Sequence, residues 1–369
     1  MSLPDRLALA PSLTRAELLL PTANLDAALA FYVDQLGFRL EMIMPADAPQ
    51  LALVSGYGIQ LRLDTTTTAV QSSTTPLRLR LPLVGRAAHL PTESKLISPD
   101  GVEIEWADLD QAPFDPPAVQ EFVLSCATHE QHWVRGRAGM RYRDLLPGRF
   151  GGRFIASHIR IEDGGPVPDY VHYHEIQLQL IYCHRGWVRV VYEDQGEPFL
   201  MRPGDCVLQP PTIRHRVLEA SAGLEVIEFG SPAIHPTRRD HDLELPSAAI
   251  QRDRRYGGQH FIHHQAATAV WQRDQDSGLV FRDLGIAKAS AGLADLRVWR
   301  IPGGSALARG GHDNELQWYV VLAGELGLSS PALGQHRLAS DDTFSIPAGA
   351  DCRLSASSDS ELLALTIPV

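Results

Sequence analysis

The chain has 369 residues, of which 44% are hydrophobic and 21% are charged, as expected for a soluble globular protein of two or three domains. The net charge of -11 argues against nucleic acid or an anionic membrane surface as a partner. We find no apolar run near the roughly 20 residues of a membrane span and no signal peptide, and the four cysteines form no CxxC pair. We therefore expect a cytoplasmic protein.

The first 112 residues are predicted to combine short strands with one helix. Asn24 can cap a helix that ends near Leu36 and Gly37. Apolar runs predict strands around this helix at 18–20, 38–44, 50–54 and 59–63. These elements make one βαβββ unit. A shorter second unit lies between 77 and 105 after a Thr- and Ser-rich loop, and a proline-rich linker at 110–117 follows it.

The rest of the chain contains an internal repeat. The segment GMRYRDL at Gly139 recurs as GLVFRDL at Gly278, an offset of 139 residues, and Gly186 matches Gly324 at an offset of 138. The repeat predicts two copies of one module, at about 120–248 and 249–369. Short alternating runs between Gly and Pro turns predict that each copy is a β-sandwich or a β-barrel.

The first copy carries a group of candidate metal ligands, namely His172, His174, Gln179 and His215. Residues i and i+2 of a strand face the same side, so His172 and His174 are expected to point together into the barrel. Gln179 lies on the neighbouring stretch, and His215 is expected on a paired strand. Neutral imidazoles suit Fe(II), Zn, Ni, Cu and Mn. We predict one divalent transition metal, with Fe(II) favoured and Gln179 as a weak fourth ligand or an outer one.

The two motifs of the first copy resemble those of the cupin superfamily. His172, His174 and Gly186 fit its first motif, in which Gln179 stands where a Glu is usual. The stretch from Pro210 to His215 fits its second motif, with a Thr in place of a Gly. The resemblance implies a double-stranded β-helix, or jelly-roll, barrel around the metal, and a mainly β protein overall.

The second copy resembles a degenerate cupin. His312 holds the first ligand position, but Asn314 replaces the second histidine and Cys352 replaces the last one. Gln317 also sits two residues closer to the first motif than its counterpart Gln179. One imidazole, two amides and a displaced thiol make a poor metal site. We therefore expect a scaffold role for this barrel in a bicupin, with a homodimer as the expected assembly.

The N-terminal segments LDAALAFYVDQLGFRL and SPDGVEIEW resemble the glyoxalase/bleomycin-resistance, or vicinal oxygen chelate, fold. The resemblance implies four metal ligands, and Glu17 and Glu105 fall at two of these places. Arg78 and Arg80 stand near the place of the expected histidine. Residues 1–112 are thus interpreted as a truncated glyoxalase-like domain with a packing or interface role.

The ligand set suggests what the first barrel does. Three neutral imidazoles and an amide leave a divalent ion with a charge of about +2, which attracts a small anionic or chelating ligand such as an enolate, a catecholate or an α-hydroxy acid. Among cupins, an open three-histidine centre is typical of dioxygenases. Our leading hypothesis is a mononuclear non-haem metal dioxygenase that acts on a small, chelating, oxygen-rich compound.

Two other functions stay open from the sequence. A non-catalytic, metal-dependent sensor is one, because the second copy has lost its ligands. A cupin isomerase or epimerase is the other, although it needs a general base that Gln179 does not supply. Other polar residues are secondary candidates, and of these Tyr182, Glu228 and His235 could approach a substrate. Cys183 is interpreted as a wall residue, whereas Glu175 and His184 are expected on the opposite face of their strands. The histidine tracts at 129–132 and 260–264 are interpreted as structural arms.

Overall fold

The computed structural model describes residues 16–45, 48–67, 77–83, 95–107, 116–117, 119–128 and 133–369. Two compact units divide the chain, Met1–Ala112 and Pro113–Val369. Within the described residues, none of the helices has the length and apolar character needed to span a membrane.

The N-terminal unit follows the predicted βαβββ order. Its elements are β1 (Glu17–Pro21), α1 (Leu25–Leu29) continuing as a π-helix (Ala30–Gln35), β2 (Arg39–Met44), β3 (Leu51–Gly56) and β4 (Ile59–Asp64). The sheet order is β1-β4-β3-β2, with β1 parallel to β4. Asn24 caps the helix as predicted, because its side chain accepts a hydrogen bond from the Ala27 N–H at 3.0 Å.

A separate three-stranded sheet completes this unit, with strands β5 (Arg78–Pro82), β6 (Lys95–Ile97) and β7 (Glu103–Ala107) in the order β5-β7-β6. The predicted loop at 65–75 and the linker at 110–117 fall mostly outside the described residues.

Two β-barrels form the C-terminal unit. The strands of the first half of this unit are β8 (Leu124–Ser125), β9 (Val134–Arg135), β10 (Arg141–Asp144), β11 (Ile155–Ile161), β12 (Gly165–Pro166), β13 (His172–His174), β14 (Leu178–Arg185), β15 (Val188–Tyr192), β16 (Phe199–Met201), β17 (Cys206–Leu208), β18 (His215–Ala220), β19 (Leu224–Ser231) and β20 (Thr237–Arg239). Short 3-10 turns lie at Arg137–Gly139 and Arg149–Gly152.

The strands of the second half are β21 (Arg255–Tyr256), β22 (Gln259–His260), β23 (Ile262–His264), β24 (Gln272–Arg273), β25 (Val280–Asp283), β26 (Asp295–Ile301), β27 (Ala306–Arg309), β28 (Leu316–Ala323), β29 (Glu325–Ser330), β30 (Gly334–Ala339), β31 (Thr343–Ile346), β32 (Cys352–Ala356) and β33 (Ser360–Ile367), with one short helix α2 (Ile286–Ala289).

Each barrel is built from a long and a short antiparallel sheet. The first barrel has the orders β23-β17-β14-β19-β11-β10-β9 and β16-β15-β18-β13-β20, with β12 beside β18. The second barrel has the orders β24-β25-β26-β33-β28-β31-β8 and β27-β32-β29-β30. The protein is therefore mainly β, with two similar barrels, as the repeat predicted.

The two barrels exchange their leading strands. Strand β8 precedes the first barrel in the chain but pairs with β31 of the second, and β23 precedes the second barrel but pairs with β17 of the first. The exchanged strands β8 and β23, here called the arms, are each followed by a backbone N–H that donates to an aspartate of the other barrel. The Ala127 N–H donates to Asp342 at 2.7 Å, and the Ala266 N–H donates to Asp205 at 2.8 Å. The exchange joins the barrels through backbone hydrogen bonds.

Strand alternation separates a shared core from the barrel interiors. On β14, Leu178, Leu180 and Tyr182 join a buried cluster that also contains Trp318 and Val320 of β28. The alternate residues of β14, including Gln179 and Ile181, line the interior of the first barrel instead. The long sheets thus form the interface between the barrels and leave the opposite face of β14 for the site.

Candidate metal centre

Three histidines meet at one end of the first barrel. His172 on β13 pairs directly with His215 on β18, and His174 lies two residues further along the same strand. One candidate ligand atom from each of these histidines lies within 4.8 Å of the other two. His172 and His215 are buried, whereas His174 is half-buried. The three side chains that the sequence grouped are therefore adjacent in space.

Hydrogen bonds orient these rings. His172 Nδ1 lies 2.8 Å from the Tyr170 carbonyl oxygen, and His215 Nδ1 lies 3.1 Å from the Ile213 carbonyl oxygen. A carbonyl oxygen only accepts, so each Nδ1 carries the proton, and in the neutral ring the lone pair is on Nε2. His174 Nδ1 is bonded to the Thr237 hydroxyl at 2.9 Å. Outer partners of this kind fix the tautomer of metal-binding histidines, so the donor set fits a divalent metal.

A chain of side-chain hydrogen bonds runs past the imidazoles. The Tyr192 hydroxyl donates to Gln209 Oε1 at 2.7 Å, and Gln209 Nε2 donates to Gln179 Oε1 at 3.0 Å. Gln179 Nε2 then donates to Glu228 Oε1 at 2.5 Å. Burial raises the pKa of Tyr192, so its hydroxyl stays a proton donor. Because every amide passes its N–H in the same direction, the chain ends on the carboxylate as an acceptor.

Gln179 is beside the histidines, but its amide is held by Gln209 and Glu228. Gln209 Nε2 also lies 3.0 Å from His215 Nε2, which links this chain to the ring that the second motif supplies. Sequence reasoning missed Gln209. Its spacing could have indicated this residue, because Gln209 follows Val207 by two positions and the two side chains therefore lie on the same face of the strand segment.

Glu228 supplies a carboxylate that the first motif lacks. It lies on β19 opposite Ile181 of β14 and opposite Ser157 of β11, and all three residues line the barrel cavity. From the sequence alone, Glu228 is only a residue that could approach a substrate. The strand register brings its carboxylate to the amide of Gln179.

The interior of the first barrel is a cavity of about 690 Å³. The histidines, Gln179, Gln209 and Glu228 lie at or near one end of it, together with His235 and Thr237. His235 packs against His174 with ring centroids 5.5 Å apart. The remaining walls are mostly aliphatic. A cavity of this size can hold a drug-sized organic molecule beside the imidazoles.

The second barrel has no comparable arrangement among its described residues. His312 Nε2 lies 2.9 Å from the backbone oxygen of Ile346, and Gln317 Oε1 accepts from the Tyr319 hydroxyl at 2.7 Å. Burial raises the pKa of the Cys352 thiol to about 11. The interior is filled by aromatic and aliphatic side chains, including Tyr319 stacked on Phe344 with centroids 4.9 Å apart.

A second group of possible ligands, His184, Glu225 and Asp341, belongs to an ion-pair network instead. His184 Nε2 is 2.7 Å from Asp341, and Arg185 reaches both carboxylates, at 2.7 Å to Glu225 and 2.8 Å to Asp341. Arg160 is also bonded to Glu225 at 3.0 Å. Two guanidinium groups satisfy these carboxylates and repel a cation, so the network links β14 to the loop before β31 without a metal.

Most of the secondary candidates have structural partners. Glu175 is paired with Arg238 at 2.6 Å, Glu17 with Arg62 at 2.7 Å and Glu105 with Arg80 at 3.4 Å. His263 and His264 lie on the exchanged strand β23. Cys183 is buried, and burial raises its thiol pKa to about 12, as suits a wall residue. His129 and His132 lie outside the described residues.

Comparisons with known proteins identify the fold. No known family model matches the chain, and no curated protein does so. Among solved structures, a mutant of salicylate 1,2-dioxygenase from Pseudoaminobacter salicylatoxidans is similar, with 12% identity, coverage of 69% of this chain and 86% of that one, and a TM-score of 0.50. A deletion mutant of oxalate decarboxylase from Bacillus subtilis has 13% identity, coverage of 69% and 79%, and a TM-score of 0.50. At these identities the likeness shows the fold, two cupin jelly-roll barrels, as the motifs predicted.

Proposed function

We propose that the first barrel is a mononuclear metal centre that oxidises a small chelating compound with O2. The observation that carries the proposal is the convergence of His172, His174 and His215 at one end of an internal cavity. Fe(II) is the favoured metal. The second barrel then serves as a scaffold, because its interior is filled and its ligand positions have other partners.

The chain's own residues have distinct parts in this function. The three imidazoles would hold the metal through Nε2, and the backbone carbonyls behind His172 and His215 keep those nitrogens unprotonated. A bound metal would supply a Lewis acid to which an enolate or catecholate binds as a chelate. Glu228 faces the same cavity and accepts the proton that such a head group loses, and Gln179 orients that carboxylate.

The test is an anaerobic Fe(II) titration followed by O2 uptake with a panel of β-diketones and catechols. We expect one metal per chain and O2 consumption with at least one class of chelator. His312→Ala is the matched control, since it removes the corresponding histidine of the second barrel and should change neither quantity. Failure of every metal and substrate pair to consume O2 would rule out the dioxygenase.

Glu228 also favours a second candidate, a metal-dependent isomerase. A carboxylate next to a chelated carbonyl compound is suited to remove and return a proton at the neighbouring carbon. Incubation in D2O without oxygen separates the two functions. Conversion of the substrate into a deuterium-labelled isomer with no O2 requirement would favour the isomerase, whereas loss of substrate only when O2 is present favours the dioxygenase. Tight binding without either reaction would leave the sensor function.

A further inference from the structure

The cavity of the first barrel changes character along its length. Polar groups cluster at the histidine end, and Glu228 and Ser157 lie one step further in. Beyond them the lining side chains are mostly apolar, with the Tyr142 hydroxyl, 3.7 Å from Met140 Sδ, as an exception. The apolar ones include Met140, Ile161, Val188, Met201, Leu224 and Val226. Leu224 and Gly230 lie at opposite ends of the cavity-facing residues of β19, and six residues of strand span roughly 20 Å. The metal site therefore adjoins a deep aliphatic chamber.

The second barrel shows that this chamber is not a necessity of the fold. Ile181 occupies the position that Tyr319 occupies in the second barrel, since the two follow Gln179 and Gln317 by two residues on equivalent strands. Ile159 likewise corresponds to Trp299, because they stand opposite Tyr142 and Phe281, which are equivalent residues of the repeated segment. Tyr319 and Trp299 are 2% exposed and belong to the core that fills the second barrel.

An apolar chamber that the protein's own side chains do not fill costs stability. Unfilled space loses dispersion contacts, and a cavity in a core destabilises a protein in proportion to its volume. The same fold in the same chain fills these positions with aromatic rings. The first barrel, which has the histidines, instead has the smaller side chains of Ile159 and Ile181. A ligand that occupies the chamber best explains this difference.

We infer that the ligand of this site has two parts: a protic chelating head, of the catechol or β-diketone class, and an apolar alkyl or aryl body that fills the chamber. The inference rests on the proposed function for the head group and narrows it, because a small, wholly oxygen-rich acid would leave the aliphatic walls without contacts. The head lies against the imidazoles and Glu228, and the body lies against Ile181, Val226 and Leu224.

The experiment measures ligand affinity rather than turnover. Calorimetric titrations of zinc-loaded protein without oxygen would compare catechol with 4-methyl-, 4-butyl- and 4-hexylcatechol, and with citrate as a chelator without an apolar body. We expect affinity to rise by about fourfold for each buried methylene until the chamber is full, and citrate to bind more weakly than hexylcatechol. An affinity that is flat or falls with chain length would overturn the inference.

A variant taken from the second barrel tests the location. Ile181→Tyr fills the chamber with the residue that its counterpart position already holds, and Ile159→Trp does the same from another strand. We expect either variant to keep the metal content and to lose most of the gain with chain length. Ile97→Tyr is the control, because Ile97 is 68% exposed and lies in the N-terminal unit. An equally steep gain in both chamber variants would place the alkyl chain elsewhere and contradict the inference.

The design separates this inference from the proposed function. The same series on metal-free protein reports on the chamber alone. If the ligand affinity rises with chain length but does not depend on bound metal, the metal centre is contradicted and the apolar chamber is supported. If the affinity depends strongly on metal but not on chain length, the metal centre is supported and the apolar chamber is contradicted.

Discussion

At the level of single residues, the site depends most on how the imidazole rings are oriented. His172 and His215 each give the Nδ1 proton to a backbone carbonyl within their own loop, two residues earlier in the chain. This bond fixes the tautomer in which Nε2 of each ring has the lone pair before any metal arrives. At His215 this lone pair lies 3.0 Å from Gln209 Nε2, so metal binding there would replace the hydrogen bond from the amide. His312 has lost this arrangement, since its Nε2 is bonded to the Ile346 carbonyl.

The first prediction concerns the metal. We expect His215→Ala to lower metal affinity by about 100-fold or more, because it removes one of the three imidazole ligands. Elemental analysis after dialysis against a buffer of known free metal measures the change. His312→Ala should retain the wild-type metal content, and equal loss in both variants would contradict the assignment of the metal to the first barrel.

The second prediction concerns Glu228. Glu228→Gln keeps the size of the side chain but removes its charge, so we expect unchanged metal content and a fall in kcat of about 100-fold or more. The exposed Glu197→Gln is the control. A kcat within threefold of wild type would show that the carboxylate takes no part in proton transfer. The fold does not require a carboxylate at this position, because the second barrel has Ala364 at the equivalent position.

At the scale of elements, the exchanged arms and the strand alternation decide what lies where. The arms β8 and β23 each extend the long sheet of the other barrel, and Asp342 and Asp205 fix the chain just after them. Each carboxylate also accepts a second backbone N–H within its own turn, from Ala339 and Arg202 respectively. Both aspartates are 5% exposed, so these hydrogen bonds are shielded from water.

The third prediction tests the arms. We expect Asp342→Ala to lower the free energy of unfolding by about 1–3 kcal/mol, because it leaves two backbone donors without their carboxylate acceptor. Denaturant unfolding measures the change. Asp276→Ala, at an exposed position in a turn, should lie within about 0.5 kcal/mol of wild type. No difference between the two variants would mean that the arm does not depend on Asp342.

For the whole molecule, the ion-pair network of Glu225 and Asp341 couples stability to pH. Burial alone would raise the pKa of Glu225, but the hydrogen bond from His158 and the charges of Arg185 and Arg160 outweigh it and lower the pKa from 4.5 to about 2. Asp341 is half-buried, and burial would likewise raise its pKa, but His184 and Arg185 lower it. Burial lowers the pKa of His158 itself, so this ring stays neutral at pH 7.

The fourth prediction follows from the sign of these shifts. Since the pKa of Glu225 is lower in the folded than in the unfolded chain, its stabilisation is present above about pH 4.5 and is lost as the pH falls through about 2. We expect Glu225→Gln to cost about 3 kcal/mol at pH 7 and much less near pH 2. Unfolding at a series of pH values checks this, and a cost that is independent of pH would exclude the network as its origin.

Features that depend on local spacing could be predicted from the amino-acid sequence. The 139-residue repeat, the i, i+2 histidines and the alternation on β14 follow from periodicity within single segments, which gave the two β-barrels and the group of His172, His174 and His215. The loss of the second site could be read in the same way, because Asn314 and Cys352 stand where ligands would be.

Relations between strands that are far apart in the chain could not be predicted in this way, because they depend on the pairing of the folded strands. Glu228 meets Gln179 because β19 pairs with β14 in one particular register, and a shift of one residue would turn the carboxylate away from the cavity. The arm exchange and the apolar chamber likewise depend on pairings across more than 50 residues. The periodicity of a strand predicts which side chains lie on the same face of that strand. It does not predict which side chain of a partner strand lies opposite each of them.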